Sequence, residues 1–397
     1  MTTKPKHIVL KPDKDKSVLR LHPWIFSGAV AKRDNDIAEG DTVSVFNDRN
    51  EFLAKGFWQN DSIAVKILSF KDEEIDFDFW NARIAAAVAY RKTLGLLSDD
   101  ATNVFRLING EGDFMPSLIA DFYDGLVVLQ FHSVGMFRHK DAICEAIKNS
   151  LSGKCRAIFN KSSSTLPNNN SYRAEDKFLF ETMDEDCVVL ENGNRFLIDY
   201  NQGQKTGFFI DQKQNRMLLQ RYAANRRVLN AFSYTGGFSV AALSGNAASV
   251  TSVDVSKRAI EICERNIALN FATNNHTSVV ADVTEYLNTI GKDEFDMIVL
   301  DPPAFAKHRR DVKNALKGYR QINRKAIERI AGGGLLFTFS CSQSVSMDDF
   351  TTMLFSASAL AKRNIRIITR LQAATDHPHS IFHPEGEYLK GYLAYVE

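Results

Sequence analysis

Five short elements in the C-terminal half of the chain carry residue types that can do chemistry. In order they are Gln204-Lys205-Thr206-Gly207-Phe208-Phe209, Asn230-Ala231-Phe232-Ser233-Tyr234-Thr235-Gly236-Gly237, Val253-Asp254, Asp301-Pro302-Pro303-Ala304-Phe305 and Ser340-Cys341-Ser342. Each is weak alone. At these spacings they read as a methyl-transfer site on an α/β sheet, with a cysteine placed to attack a base.

The second and third elements suit a nucleoside cofactor. A strand ending at Phe232 turns through Ser233-Tyr234-Thr235-Gly236-Gly237 into a helix. Glycines there let the backbone approach a ligand closely, and the N–H groups of the helix start favour an anionic group. This is no Gly-x-Gly-x-x-Gly fingerprint, and bulky Phe232 and Tyr234 argue against a pyrophosphate on the turn. Asp254 ends the next strand, where a carboxylate can accept both ribose hydroxyls. Its competing role is a helix cap before Ser256 and Lys257. Asp282 follows the third strand and can accept from an adenine amine or cap the next helix, and both can hold at once. A ribose, an adenine and a charged amino-acid tail together describe S-adenosylmethionine.

The last two elements carry the reaction. Two prolines stiffen the Asp301 loop and remove backbone donors, leaving carbonyls free and Asp301 presented to a planar base. In the exocyclic-amine methyltransferases, Asp/Asn-Pro-Pro is followed directly by a stacking aromatic. Here Ala304 takes that place and Phe305 comes one residue later, which weakens the amine reading. Cys341 ends the following strand and is expected to open onto the same cleft as Asp301. C5 of cytosine is a poor nucleophile; a thiolate adding to C6 makes C5 enamine-like, and cysteine is the natural residue for such covalent catalysis. A lone cysteine is more often buried and structural; the Asp-Pro-Pro loop one strand earlier favours the nucleophile. The cysteines at 144, 155, 187 and 263 read as structural.

A basic segment follows. Lys307 to Ile330 holds nine Lys/Arg against Asp311 and Glu328, a net of +7. Such a segment beside a catalytic loop suits a phosphate backbone, with Phe305, Lys307, Arg309 and Arg310 as its leading RNA-contact residues. A solvated helix face accounts for part of it. His377, His379 and His383 lack the acidic or thiol company of a zinc site, and no metal is expected; a loop closing over the active site suits them better.

The elements that must position these residues alternate. From about 186 onward the strand candidates are 227–232, 249–254, 278–281, 295–301, 335–341 and 365–371, with helices at 211–223, 256–270 and 314–330. A βαβ series of this kind forms a parallel, doubly wound sheet. Tyr388 to Val396 alternates and is expected as an antiparallel edge strand. Residues 1–73 read as a small β-domain, with Trp24 and Phe26 expected in its core. Residues 74–185 mix helix and strand: an Ala-rich helix at 79–94, a hairpin across Tyr123-Asp124-Gly125, an amphipathic helix at 142–151 and a loop-like stretch from Ser162 to Ser171.

Bulk properties bound the reading. The chain has 397 residues, 44% hydrophobic and 24% charged, with net charge +1. That is room for two or three globular domains, and a nucleic-acid partner must be argued from local patches. Five cysteines, none spaced Cys-x-x-Cys, suit reduced cytosolic thiols. No apolar run approaches the roughly 20 residues of a membrane span, and the Lys-rich start lacks the apolar stretch of a signal peptide. The expectation is a cytoplasmic protein without a membrane partner; a homodimer is left open.

These residues resemble the bacterial ribosomal RNA cytosine-C5 methyltransferases that carry an N-terminal PUA domain and modify the large-subunit RNA. The resemblance covers nearly the whole length, through His22-Pro23-Trp24-Ile25-Phe26, Gly110-Glu111-Gly112-Asp113, the run from Gly203 to Gln212, and Tyr234-Thr235-Gly236-Gly237-Phe238-Ser239. It continues through Asp301-Pro302-Pro303, Thr338-Phe339-Ser340-Cys341-Ser342, Asp376-His377-Pro378 and Glu387-Tyr388-Leu389-Lys390-Gly391. It implies an α/β architecture in three parts: a PUA-like β-barrel over 1–73, a small α+β domain over 74–185 and a Rossmann-like class I methyltransferase domain over 186–397. It implies S-adenosylmethionine near Lys205, Thr206, Phe232, Tyr234, Asp254, Asp282 and Asp301, with Cys341 as nucleophile; Gly236 of the turn completes the expected cofactor-binding residues. The Pro-Pro loop has no cysteine, unlike that of the two-cysteine RNA cytosine methyltransferases, so product release falls to another group, Asp301 or a water. Some relatives carry Lys where this chain has Ala304, and sister branches methylate guanine.

The expected activity is S-adenosylmethionine-dependent methylation of cytosine C5 in ribosomal RNA, on a base flipped out of its stack. A guanine-directed RNA methyltransferase on the same fold would not need Cys341. A non-catalytic RNA-binding assembly factor would bind cofactor without turnover. A small-molecule methyltransferase leaves the N-terminal domain unexplained.

Overall fold

The computed structural model describes residues 6–166, 174–183, 185–272, 274–306 and 308–397. The chain divides into two compact units. The first comprises Met1–Cys187, Asp199–Gly207 and Thr375–Gly386; the second comprises Val188–Ile198, Phe208–Ala374 and Glu387–Glu397.

The first unit holds two sheets. Six strands between Lys6 and Ser69 form a curled sheet around Ile8, Val43, Val45, Ala54, Ala64 and Val65, all essentially inaccessible. Strand alternation sends successive side chains to opposite faces, which decides the fate of Trp24-Ile25-Phe26. Ile25 enters the core at 2% exposure, while Phe26 faces out at 51%, so the expectation of Phe26 as core is corrected. Trp24 is half-buried; it stacks edge-on against His383 with ring centroids 4.4 Å apart and donates from Nε1 to Glu111 at 2.9 Å. The second sheet has five strands between Val104 and Phe180. Its hairpin pairs Leu118 with Phe131 and Tyr123 with Leu126. The two turn residues, Asp124 (φ 46°) and Gly125 (φ 97°), have the positive φ values a tight hairpin demands. The helices Phe77–Thr93 and Lys140–Leu151 cover this sheet. Of the loop-like stretch Ser162–Ser171, residues 167–171 lie outside the described residues.

The second unit is built on seven strands: β1 (Arg227–Ala231), β2 (Ser249–Asp254), β3 (His276–Val280), β4 (Met297–Leu300), β5 (Gly334–Ser340), β6 (Ile365–Gln372) and β7 (Lys390–Val396). They lie in the order β3-β2-β1-β4-β5-β7-β6. The first five are parallel; β7 runs antiparallel to both of its neighbours. The helices are α1 (Lys213–Tyr222), α2 (Gly237–Ser244), α3 (Lys257–Asn270), α4 (Val283–Thr289), α5 (Val312–Arg329) and α6 (Met347–Ala361). This is the doubly wound sheet that the alternating pattern predicts, with one correction. The last strand is interior, flanked by β5 and β6, and all but one of its residues are buried. The edge is β6, whose residues are mostly exposed.

Candidate methyl-transfer site

The register of the parallel strands brings the candidate residues to one end of the sheet. Ala231 is level with Val253 on one side and Leu300 on the other. The residues that follow these three are Phe232, Asp254 and Asp301. Leu300 pairs with Thr338, and β5 runs on to Ser340, so Cys341 emerges at the same carboxyl end. Ligands of open α/β sheets bind beyond that edge.

The turn after β1 is held in an unusual backbone conformation. Phe232 (φ 61°), Tyr234 (φ 46°) and Gly236 (φ 83°) all occupy the left-handed region, which costs bulky residues energy and persists where the surroundings over-determine it. Three contacts do so here. Asp254 accepts the Tyr234 N–H at 2.9 Å through one oxygen and the Ser256 N–H at 2.9 Å through the other. Buried Asn266 of α3 donates to the Thr235 carbonyl at 2.9 Å. Gly236 packs so closely on Cys263 that a Cβ there would lie 2.4 Å from its sulfur. Cys263 is therefore structural, and burial pushes its thiol up to about 12. The cap of α3 is Ser256, which accepts the Ala259 N–H. Asp254 holds the turn, and each of its oxygens keeps a second lone pair. Asp282 caps α4 by accepting from Glu285 N at 3.0 Å, and its carboxylate is exposed.

Asp301 meets a group of polar side chains before and within the first turn of α1. Burial first and the Asp211 carboxylate second raise its carboxyl to about 7, against a hydrogen bond from Gln212 and the charge of Arg216. Arg216 is itself buried, forked onto Glu191 with two contacts of 2.6 Å and stacked 4.6 Å from the Phe208 ring. Asp211 accepts from Tyr388 Oη at 2.6 Å through Oδ2, while Oδ1 is buried with no hydrogen-bond partner among the described residues. Ser233 Oγ, in the β1 turn, is a second such atom. Buried polar atoms are nearly always satisfied. Unpartnered oxygens beside the carboxyl ends of β1 and β4 suit a polar ligand with a cationic group.

Cys341 lies at the centre of the remaining contacts. Its Sγ donates to the Pro302 carbonyl at 3.6 Å, joining the strand-end cysteine to the Asp-Pro-Pro loop. Ser340 and Ser342 on either side are fully buried, whereas Cys341 is half-exposed. Ser342 Oγ accepts from Ala306 N at 3.2 Å and pairs with Tyr319 Oη at 2.9 Å, tying the loop to α5. Phe305 packs on that tyrosine, centroids 4.6 Å apart, and lies against Gly318, so one face of its ring is covered. Arg309 and Arg310 stand exposed in a short 3-10 turn before α5. Lys307 lies outside the described residues.

Lys205 and Thr206 belong to the first unit. Lys205 is exposed at φ 53°. The buried Thr206 hydroxyl donates to Asp121 at 2.5 Å and lies 3.0 Å from Tyr123 Oη. In the same unit, buried His377 sits 2.8 Å from Asp376 Oδ1. Among the described residues no group of three or more His, Cys, Asp or Glu could hold a metal, and no helix is long and apolar enough to cross a membrane.

Two residues escaped sequence reasoning as site candidates. Asp211 sits in the Gly203–Gln212 run but gives no local sign that it meets Asp301. Lys390 has a sequence sign, a lysine within an otherwise apolar strand; the fold places it opposite Ser340.

A strained glycine turn, a carboxylate ending the second strand and an Asp-Pro-Pro loop on a 3-2-1-4-5-7-6 sheet define an S-adenosylmethionine-dependent methyltransferase. Comparison with known proteins agrees. The model of the S-adenosylmethionine-dependent methyltransferase family matches residues 106–384, and that of the PUA-like domain matches residues 8–70. The chain is 38% identical over 394 residues to ribosomal RNA large subunit methyltransferase I of Alteromonas mediterranea, covering 98% of each chain. It is 35% identical over 395 residues to the Escherichia coli protein of that name, covering 98% of this chain and 99% of the relative. A Streptococcus mutans structure described as a S-adenosylmethionine-dependent methyltransferase shares the fold, with TM-score 0.83 at 23% identity over 98% of this chain and all of that one. A methyltransferase structure complexed with SAH aligns with TM-score 0.84 at 24% identity, over the same shares. The chain belongs to the ribosomal RNA large subunit methyltransferase I family of S-adenosylmethionine-dependent enzymes.

Proposed function

We propose that this chain methylates C5 of a cytosine in large-subunit ribosomal RNA, through a covalent adduct of the base with Cys341. The observation that carries the reading is the half-exposed Cys341 thiol on the Pro302 carbonyl, between two buried serines. The names of the relatives supply the RNA. The PUA-like domain and the exposed cations on α5 are features an RNA partner would use.

S-adenosylmethionine bound at the carboxyl edge supplies an electrophilic methyl group. Asp254 would hold its ribose and Asp282 its adenine. The unpartnered Asp211 oxygen suits its ammonium. Phe232, Tyr234 and Gly236 shape the turn beneath it. The roles of Lys205 and Thr206 at the cofactor rest on the family resemblance.

Cys341 acts on the base. Its thiolate adds to C6, and the C5–C6 π electrons make C5 the nucleophile that takes the methyl group. A base then removes the C5 proton, the electron pair re-forms the double bond, and the C6–S bond breaks to release the thiolate. We assign that proton to Asp301, directly or through a water. A carboxyl raised to about 7 is matched to proton transfer near neutral pH. Phe305 would stack on the flipped base, and Arg309 and Arg310 would contact the phosphates.

The test is nucleoside mass spectrometry of unmodified large-subunit ribosomal RNA after incubation with S-adenosylmethionine and either wild type or Cys341→Ala. C5-methylcytidine from wild type alone supports the proposal. Methylguanosine from both proteins overturns it.

A further inference from the structure

Lys390 is a buried cation that the proposed chemistry has not used. It opens β7, directly opposite Ser340 of β5, and is 5% exposed. Its ammonium donates to the carbonyl of Ser342 at 2.9 Å and to that of Tyr388 at 2.8 Å. Neither acceptor carries a formal charge. An ammonium has three protons, so one N–H remains after these bonds. Burying a lysine charge beside neutral carbonyls is costly, and such charges persist where an anion or a function compensates them.

The geometry supplies the compensation. The two residues that flank Cys341 are both tied to Lys390, Ser340 by strand register and Ser342 by a hydrogen bond. Burial pushes the ammonium below the usual lysine range, and the charges of Cys341 and Glu387 act against that burial. Tyr319 of α5 is a further titratable group that acts on the sulfur, and burial raises its phenol above the usual tyrosine range. A cation that a thiolate stabilises must by reciprocity stabilise that thiolate.

We propose that Lys390 is the positioning residue that favours ionisation of Cys341, its ammonium held under the Cys341 turn by the two carbonyls and ready to compensate the thiolate that forms when the S–H bond to Pro302 is given up. This rests on Cys341 as the nucleophile, but it is tested by a property of the thiol that needs no RNA. Reactivity with iodoacetamide follows the thiolate fraction. The other cysteines make a quiet background: burial pushes Cys144, Cys187 and Cys263 up to about 12 and Cys155 to about 11.

The experiment compares wild type, Lys390→Gln and Lys390→Met. Alkylation of the Cys341 peptide is followed by mass spectrometry across roughly pH 6 to 9, and each variant's fold is checked by thermal melting. The Gln side chain can still donate to the carbonyls but carries no charge; the Met side chain loses both. The expected result is an apparent thiol pKa about one pH unit higher in both variants, with alkylation about tenfold slower at pH 7. Methyl transfer should fall by a similar factor in kcat, with KM for RNA unchanged. An unchanged alkylation profile in either folded variant overturns the proposal. A shifted profile in a protein whose Cys341→Ala form still methylates RNA would leave Lys390 as the thiol's partner and remove the cysteine from the reaction.

Discussion

The Sγ of Cys341 lies 3.6 Å from the carbonyl oxygen of Pro302. Two residues separated along the chain by an entire helix thus meet at the ends of neighbouring strands. A proline carbonyl has no ring N–H of its own to balance, and here it accepts from the thiol. The contact places the only half-exposed cysteine of the second unit against the loop that carries Asp301.

Removing the sulfur should remove the chemistry and little else. Cys341→Ala is expected to lower methyl transfer by at least about a thousandfold, the usual scale for a lost nucleophile. Because the thiol is half-exposed, the melting temperature should stay within a few degrees. Calorimetric titration with S-adenosylhomocysteine should give an unchanged Kd.

The Asp301 carboxyl sets a pH dependence. Its value of about 7 predicts that kcat/KM rises with pH through that region and levels off above it, and that Asp301→Asn abolishes this limb. The same shift acts on stability. The folded-state value is raised above the ordinary 3.8, so this contribution is fully present below about pH 4 and is lost as pH rises through about 7. Asp301→Asn should therefore melt a few degrees above wild type at pH 8, and the difference should vanish near pH 4. Melting curves at the two pH values check the sign.

Asp211→Asn probes the unpartnered oxygen. The Tyr388 hydrogen bond can survive the change, while the negative charge beside Asp301 is lost. Binding of S-adenosylhomocysteine should weaken about tenfold, the scale of one charge-assisted bond. The activity limb assigned to Asp301 should move to lower pH, since a like charge that raised it is gone.

Gly236→Ala tests the turn. The new Cβ would sit 2.4 Å from the Cys263 sulfur and force a side chain onto a φ of 83°. A loss of about 2 kcal/mol or more in denaturant unfolding is expected. Cys263→Ala in the same chain should recover the steric part and leave the backbone part.

The exposed cations of α5 test the RNA surface. Lys313, Lys317 and Arg320 recur at helical spacing on its outer face, opposite buried Ala315, Tyr319 and Ile322. Replacing all three by Ala should weaken RNA binding and reduce the slope of log affinity against log salt by about 2, at roughly 0.7–0.9 per lost phosphate contact.

Much of this site could be read in the sequence because a parallel sheet converts strand order into position. Apolar runs separated by amphipathic helices place Asp254, Asp301 and Cys341 at strand ends, and strand ends share one edge. What escaped depends on pairings that local pattern does not encode. The strand Lys390–Val396 alternates like an edge strand, yet it is inserted between β5 and β6 and buried. Lys390 meets the Ser342 carbonyl across 48 positions of sequence, and Asp211 comes near Asp301 only once the sheet is assembled. In the first unit Phe26 failed as a core residue because the pleat admits one side chain of Trp24-Ile25-Phe26 to the core, and Ile25 takes the place.

The covalent step can be seen directly with RNA that carries 5-fluorocytidine. Fluorine at C5 leaves no proton to remove after methylation, so the C6–S bond cannot be broken by elimination. Wild-type protein with S-adenosylmethionine should form an RNA-protein complex stable to denaturing electrophoresis, with the crosslink mapped to Cys341. Cys341→Ala should form none. A wild-type protein that methylates ordinary RNA but leaves no stable complex with the fluorinated one, or a complex mapped to another residue, would contradict the account.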